Sequence, residues 1–241
     1  MKISVIIPAY NEERLLGPCL ESVKEAFGGP AGRGLGHEVI VCDNNSSDST
    51  ARIAAGAGAR VVFEPVNQIG RARNAGAAAA AGEWLLFIDA DSRLSGSTLE
   101  QLKAGITGGR CCAGGALVGM EDAPPLLGRA AVGLWNLVSR TFRLAAGSFI
   151  FCRADAFRET GGFSLELYAA EELDLSRRLA RWGRERGLSF IILRGPHVSS
   201  GRKFSLYPKI EFLRLLIALI LRPRRTLRDP RRLKYLYDGR R

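Results

Sequence analysis

Two carboxylates spaced i and i+2, Asp89-Ala90-Asp91, end the apolar run Trp84-Leu-Leu-Phe-Ile88 and are followed by Ser92. A buried strand in this position delivers two hard oxygen donors to the open edge of a sheet. Alternate strand residues point the same way, and once the chain leaves the sheet both can turn toward one ligand. Such a pair suits Mg²⁺ or Mn²⁺, and a divalent ion held that way suits a diphosphate. The same tripeptide also serves turns and helix caps, so its meaning depends on what else reaches that edge.

Two more polar clusters follow apolar runs. Pro8-Ala9-Tyr10-Asn11-Glu12 comes after the first, and Asp43-Asn44-Asn45-Ser46-Ser47-Asp48 after the second. Each has a local reading, with Asn11 and Asp48 as helix caps and Asn44-Asn45 as a turn that tolerates left-handed backbone. Local readings do not explain why all three clusters end strands. His197 follows a later strand and precedes Ser199-Ser200-Gly201-Arg202-Lys203. It would complete a metal shell, with Arg202 or Lys203 neutralising a diphosphate, or lie on a surface loop. His37 reads as structural or solvated, and Trp135 and Trp182 as packing residues.

The elements that position these groups alternate. Strands are expected at Lys2–Ile7, Glu38–Cys42, Arg60–Phe63 and Trp84–Ile88. Helices are expected at Asn11–Phe27, Ser49–Gly56 and Ile69–Ala81, from apolar residues at helical spacing. This alternation means βαβ units and a mainly parallel sheet flanked by helices, whose ligands bind beyond the carboxyl ends of the strands. Further on, helices are expected at Ser97–Gly105, Leu126–Phe142 and Glu171–Trp182. Strands are expected at Cys111–Met120, Phe149–Cys152 and Phe190–Leu193, with a loop through Pro196 and His197.

The chain has 241 residues, 46% of them hydrophobic, which is enough for a core. No apolar run reaches the roughly 18 to 20 residues of a membrane span, and the first eight residues read as a strand rather than a signal peptide. Five cysteines without Cys-x-x-Cys spacing fit free thiols in a reducing cytoplasm. The formal charge is +11, yet residues 201–241 carry thirteen Lys or Arg against three acids, so nearly all the surplus lies there. We divide the chain into a domain over 1–203 and a basic amphipathic helical tail over 204–241. Residues 207–221 are apolar and Arg222-Pro-Arg-Arg225 follows. That pattern fits an interfacial helix on an anionic membrane through 207–234, or a helix packed on the domain. Nucleic acid is not expected, since no aromatic platform accompanies the charge.

Four stretches resemble family 2 glycosyltransferases of GT-A fold, in that family's order. They are Val5-Ile-Ile-Pro-Ala-Tyr-Asn-Glu12, Val41-Cys-Asp-Asn-Asn-Ser-Ser-Asp-Ser-Thr50, Gly70-Arg-Ala-Arg-Asn-Ala-Gly76 and Phe87-Ile-Asp-Ala-Asp-Ser92. Gly161-Gly162-Phe163 and Glu171-Glu-Leu-Asp-Leu-Ser-Arg-Arg178 also resemble it. The resemblance spans roughly residues 2–200. It implies that an inverting enzyme moves a sugar from a nucleotide-diphosphate sugar to an acceptor hydroxyl, on a cell-envelope glycan or a lipid-linked acceptor. Pro8, Ala9, Tyr10, Glu12, Asp43 and Asn45 would border the nucleoside, with Arg73 nearby. Asp89 would hold the ribose beside Ala90, and Asp91 would ligate Mg²⁺ or Mn²⁺. In that family the later motif is usually Glu-Asp-x-Asp, its second residue being the base. Here that residue is Glu172, with Glu171 as the fallback, while Asp174 would brace the site by pairing with Arg177 or Arg178. The expected location is the cytoplasm, peripheral at the inner face of its membrane if the tail attaches there. Two rivals stay open: an idle sugar-nucleotide binder, and a nucleotidyltransferase. The second would be expected to carry a Gly-rich basic loop where this chain has Pro8-Ala9-Tyr10-Asn11.

Overall fold

Apolar runs without alternation become strands buried on both faces. In β1 (Lys2–Ala9) and β4 (Trp84–Ile88), Ile3, Val5, Ile7, Leu86 and Ile88 enter one core while Ile6, Leu85 and Phe87 enter the other. The computed structural model describes residues 1–120 and 126–199, together with Leu227 and Asp229. The remaining elements are α1 (Leu16–Gly28), β2 (Gly36–Asp43), α2 (Thr50–Gly56), β3 (Arg60–Phe63), α3 (Ile69–Ala79), β5 (Ser92–Arg93), α4 (Gly96–Thr107), β6 (Cys111–Met120), α5 (Leu126–Phe142), β7 (Phe149–Arg153), α6 (Ala154–Glu159), α7 (Glu171–Arg184) and β8 (Ser189–Ser199). The sheet order is β3-β2-β1-β4-β7-β6-β8-β5.

The first four strands are parallel, with Val5 opposite both Val39 and Leu86. The second half is mixed. β7 runs antiparallel to β4 and β6, whereas β6 and β8 are parallel. The sheet is therefore mainly parallel, as expected: only β7 and β5 run against the other six strands, and the β3-β2-β1-β4 side is parallel throughout. Helix α3 lies close against that side because its glycine faces inward. A Cβ added at Gly76 would stand 2.5 Å from both Cys42 Sγ and Ile6 Cγ2.

Three expectations need correction. The first helix begins at Leu16 rather than Asn11, which adopts a left-handed φ of 52° and ties two loops together instead of capping. The second begins at Thr50, whose N–H donates to the Asp48 carboxylate. His197 is not on a loop. β8 continues past Leu193 through an irregularity at residues 194–195, and His197 pairs with Val118 of β6. All five cysteines are free and buried, as expected. Among the described residues, no helix is long and apolar enough to cross a membrane. Arg202, Lys203, the apolar stretch 207–221 and its arginines lie outside the described residues.

Candidate active site

The carboxyl ends of β1, β2 and β4 meet on one edge, and their loops are stitched together. Asn11 N–H donates to Ser46 Oγ at 3.0 Å, and Ser47 N–H to Asn11 Oδ1 at 2.8 Å. Glu12 N–H donates to Thr50 Oγ1 at 2.8 Å, and Glu13 N–H to the Asp48 carboxylate at 3.1 Å. Pro8 and Ala9 end β1, and Ala9 O accepts from Asn44 N–H at 2.8 Å. Tyr10 is half-buried, whereas Glu12 and Asp43 are buried. Asp43 Oδ1 closes its own turn by accepting from Ser46 N–H at 3.0 Å. Asn45 has φ 66° and donates to Asn67 Oδ1 at 3.0 Å.

The centre of the site is Arg73 on α3, only 2% exposed. Nη2 donates to Asp89 Oδ1 at 2.9 Å and to the Gly147 carbonyl at 2.8 Å, and Nη1 donates to Glu171 Oε1 at 2.9 Å. Its guanidinium also lies 5.1 Å from the Phe163 ring centroid. One cation thus ties the end of β4 to the first turn of α7, and Arg73 and Glu171 are 98 residues apart in sequence. Glu171 is buried and Glu172 half-buried. A Cβ added at Gly147 would be 3.2 Å from Arg73 Nη2 and 3.7 Å from the Glu172 carboxyl carbon. Glycine there lets the 143–148 loop close over the cluster.

Three carboxylates share this one guanidinium. Burial, reinforced by the Glu171 and Asp89 charges and opposed by Arg73, pushes the Glu172 carboxyl up to about 8. Glu172 therefore favours its protonated form to a higher pH than an ordinary carboxyl does. Asp174 takes the bracing role. Arg178 Nε donates to its carboxylate at 2.8 Å, while Arg178 also reaches the carbonyls of Thr160 and Gly162.

His197 is 1% exposed, with its ring 4.8 Å from that of Phe149. Burial pushes the imidazole down to about 4, opposed by the Asp89 charge and the Ser148 backbone. Neither ring nitrogen has a hydrogen bond of normal geometry among the described residues. A neutral, buried imidazole with an unused nitrogen is a chemically suitable metal ligand. The short strand β5 sets the stretch after Asp91 beside the stretch after His197. Immediately after Asp91, Ser92 and Arg93 pair with Ser199 and Val198 of the His197 strand. Asp91 and Asp89 also both act on the buried Cys19 thiol, which burial and these charges push up to about 12. Among the described residues no three His, Cys, Asp or Glu side chains converge as a complete metal cage. A carboxylate and an imidazole fit a divalent ion that takes its other ligands from phosphate oxygens.

Sequence reasoning missed the braces. Buried Asn44 donates to the carbonyls of Glu64 and Val66 and accepts from Gln68 N–H. Gln68 donates to the carbonyls of Leu165 and Leu167. Asn74 accepts from Phe163 N–H and donates to its carbonyl, both at 2.9 Å. The tight Gly161-Gly162-Phe163 turn was the available signal, because a fixed turn needs something to hold it.

This edge, with its carboxylates, buried arginine and buried histidine, belongs to an α/β transferase fold. The glycosyl transferase family 2 model matches residues 4–151, more than half of the sequence, and the chain belongs to that family. An uncharacterized glycosyltransferase of Mycobacterium tuberculosis is 38% identical over 102 residues, 42% of each chain. The chain thus spans less than half the length of such curated relatives. The glucosyl-3-phosphoglycerate synthase of Mycolicibacterium smegmatis is 35% identical over 97 residues, covering 37% of this chain and 30% of that one. Among solved structures, the mannosyltransferase of Pyrobaculum calidifontis in complex with GDP-Man and Mn²⁺ has a TM-score of 0.66 at 18% identity, covering 98% of this chain and 68% of that one. The glucosyl-3-phosphoglycerate synthase of M. tuberculosis with Mn²⁺, UDP and glucosyl-3-phosphoglycerate has a TM-score of 0.60 at 21% identity, covering 95% and 81%. These likenesses show the GT-A fold.

Proposed function

We propose that this protein transfers a sugar from a nucleotide-diphosphate sugar to an acceptor hydroxyl with inversion, Glu172 being the base. The observation that carries this reading is the Arg73 cluster, which ties Asp89 at the donor edge to Glu171, the immediate neighbour of Glu172. The acceptor oxygen attacks the anomeric carbon from the face opposite the diphosphate. The bond from that carbon to the phosphate oxygen breaks, the nucleoside diphosphate departs, and the acceptor proton passes to the Glu172 carboxylate. Pro8, Ala9, Tyr10, Glu12, Asp43 and Asn45 border the nucleoside, and Asp89, partly exposed beside Arg73, receives the ribose. Asp91 and His197 would hold Mg²⁺ or Mn²⁺, which when bound supplies positive charge to the leaving diphosphate. The complexes of the mannosyltransferase with GDP-Man and Mn²⁺ and of the synthase with UDP and Mn²⁺ support this donor class and metal.

We assign Arg73 a positioning role, because its polar contacts are with protein groups. The acceptor is a glycan or lipid-linked hydroxyl, and the place of action is the cytoplasm, at the inner face of its membrane if the tail attaches there. A second reading, an idle donor-binding protein, is favoured by Glu172 standing where aspartate is usual and favouring its protonated form to a higher pH than an ordinary carboxyl does. The test is a thermal-shift screen of UDP-, GDP- and dTDP-sugars with Mn²⁺, followed by turnover of the donor that binds. A midpoint rise with turnover that Glu172→Gln removes supports transfer. Binding without hydrolysis or transfer across the pH range supports the idle reading, and no binding by any donor refutes both.

A further inference from the structure

The outward face of α5 is apolar where a surface helix is ordinarily polar. Leu134, Leu137 and Phe142 are 63%, 62% and 68% exposed, and Ala130, Ala131 and Thr141 beside them are exposed as well. The helix is not free to rotate this face inward. Asn136 donates to the Val118 carbonyl at 3.0 Å and accepts from Val118 N–H at 2.9 Å, and Ser139 is buried. At 100° per residue, Leu134 and Leu137 then point away from the sheet.

The charged residues described along this stripe and at its carboxyl end are arginines. Arg129 and Arg140, three turns apart, lie along one edge of it. At its carboxyl end Arg140, Arg143 and Arg194 line a cleft of about 320 Å³. Phe142, Arg143 and Arg184 line an adjoining one of about 300 Å³. Among the described residues no acidic side chain lines either cleft, and the sequence has none from 123 to 154. None of these five arginines makes an ion pair with a described residue.

We propose that the outer face of α5 is a docking surface for an anionic lipid bilayer. Leu134, Leu137 and Phe142 enter the boundary between headgroups and acyl chains, and Arg140, Arg143, Arg184 and Arg194 take lipid phosphates. Charge complementarity selects this occupant. A second copy of the chain would set these arginines against their own kind, and a nucleic acid would leave the leucines in water. The surface is coupled to the site already described, because the loop that leaves α5 at Arg143 carries the Gly147 carbonyl that Arg73 holds. The inference does not depend on the transfer reaction.

The test is co-sedimentation of the full chain with vesicles of phosphatidylglycerol and phosphatidylcholine, against phosphatidylcholine alone. Binding is expected only with the anionic lipid and weakens with added salt. Leu134→Asp with Leu137→Asp, and separately Arg140→Glu with Arg143→Glu and Arg194→Glu, should each lower vesicle affinity about tenfold or more. Circular dichroism and melting midpoint should be unchanged, because these side chains are exposed. Four outcomes overturn the proposal: no vesicle binding by the full chain; undiminished binding by both variants, which would assign attachment to the basic tail; loss of a dimer in sedimentation without loss of vesicle binding; or a fall in midpoint showing that the leucines are packed.

Discussion

Replacing Arg73 with methionine removes a buried cation that lies among three carboxylates while keeping a similar volume. The guanidinium is 2% exposed and donates to Asp89, Glu171 and the Gly147 carbonyl at 2.8 to 2.9 Å. Glu171 is itself only 3% exposed, so the variant strands a buried charge. Breaking a buried pair in this way costs about 3–5 kcal/mol. The cost must depend on pH, since acid protonates the stranded carboxyls and removes the unpaired charge. We expect urea unfolding to show the full loss near pH 8 and a clearly smaller one near pH 5. Arg73→Lys keeps the charge but not the fork that spans two carboxylates, and should fall between. Arg73 also holds the Glu172 pKa down, so residual transfer by either variant that loses this effect should need a more alkaline pH. A loss under about 1 kcal/mol, or one equal at both pH values, would refute the idea that Arg73 is the electrostatic centre of the site.

Glu172 sets a second pH dependence. Its folded pKa, raised to about 8, lies above its ordinary value of 4.5, so the native state binds the extra proton between those values. Its contribution to stability therefore falls as pH rises toward 8 and levels off beyond, while transfer, which needs the ionised base, climbs over the upper part of that range. A wild-type rate flat from pH 6 to 9, about the span in which such a base titrates, would remove Glu172 from the role. Asp91→Ala should abolish Mn²⁺-dependent donor turnover while the variant still folds, as circular dichroism checks; wild-type-like turnover would refute its placement on the metal. Gly76→Ala forces a methyl group to 2.5 Å from Cys42 Sγ and Ile6 Cγ2 and should destabilise by about 1–3 kcal/mol in chemical denaturation. A neutral result there would mean that α3 stands further from the sheet.

The legible part of the site was the part written in consecutive residues. Asp89 and Asp91 end β4, and Asp43 ends β2, because a strand buried on both faces announces itself as an unbroken apolar run. The polar residue that breaks such a run must then lie at a strand end. What could not be read were contacts made by pairing elements distant in sequence. His197 follows a bulge in β8, where Leu193 and Pro196 take successive partners on β6. A period-two reading loses the strand at that bulge and leaves the histidine on a loop. The pairing of its strand with the residues after Asp91 is made by β5, two residues long, too short to show periodicity. Arg73 was placed near a nucleotide by resemblance, and its sequence neighbours give no hint that Glu171 lies across the site. The same limit explains Asn44 and Asn74, whose side chains substitute for backbone pairing between elements. A turn-forming residue and a bracing residue have the same letter, and only burial separates them. Here burial also decides the chemistry. It leaves His197 neutral with an unused nitrogen and keeps the protonated form of Glu172 favoured to a higher pH.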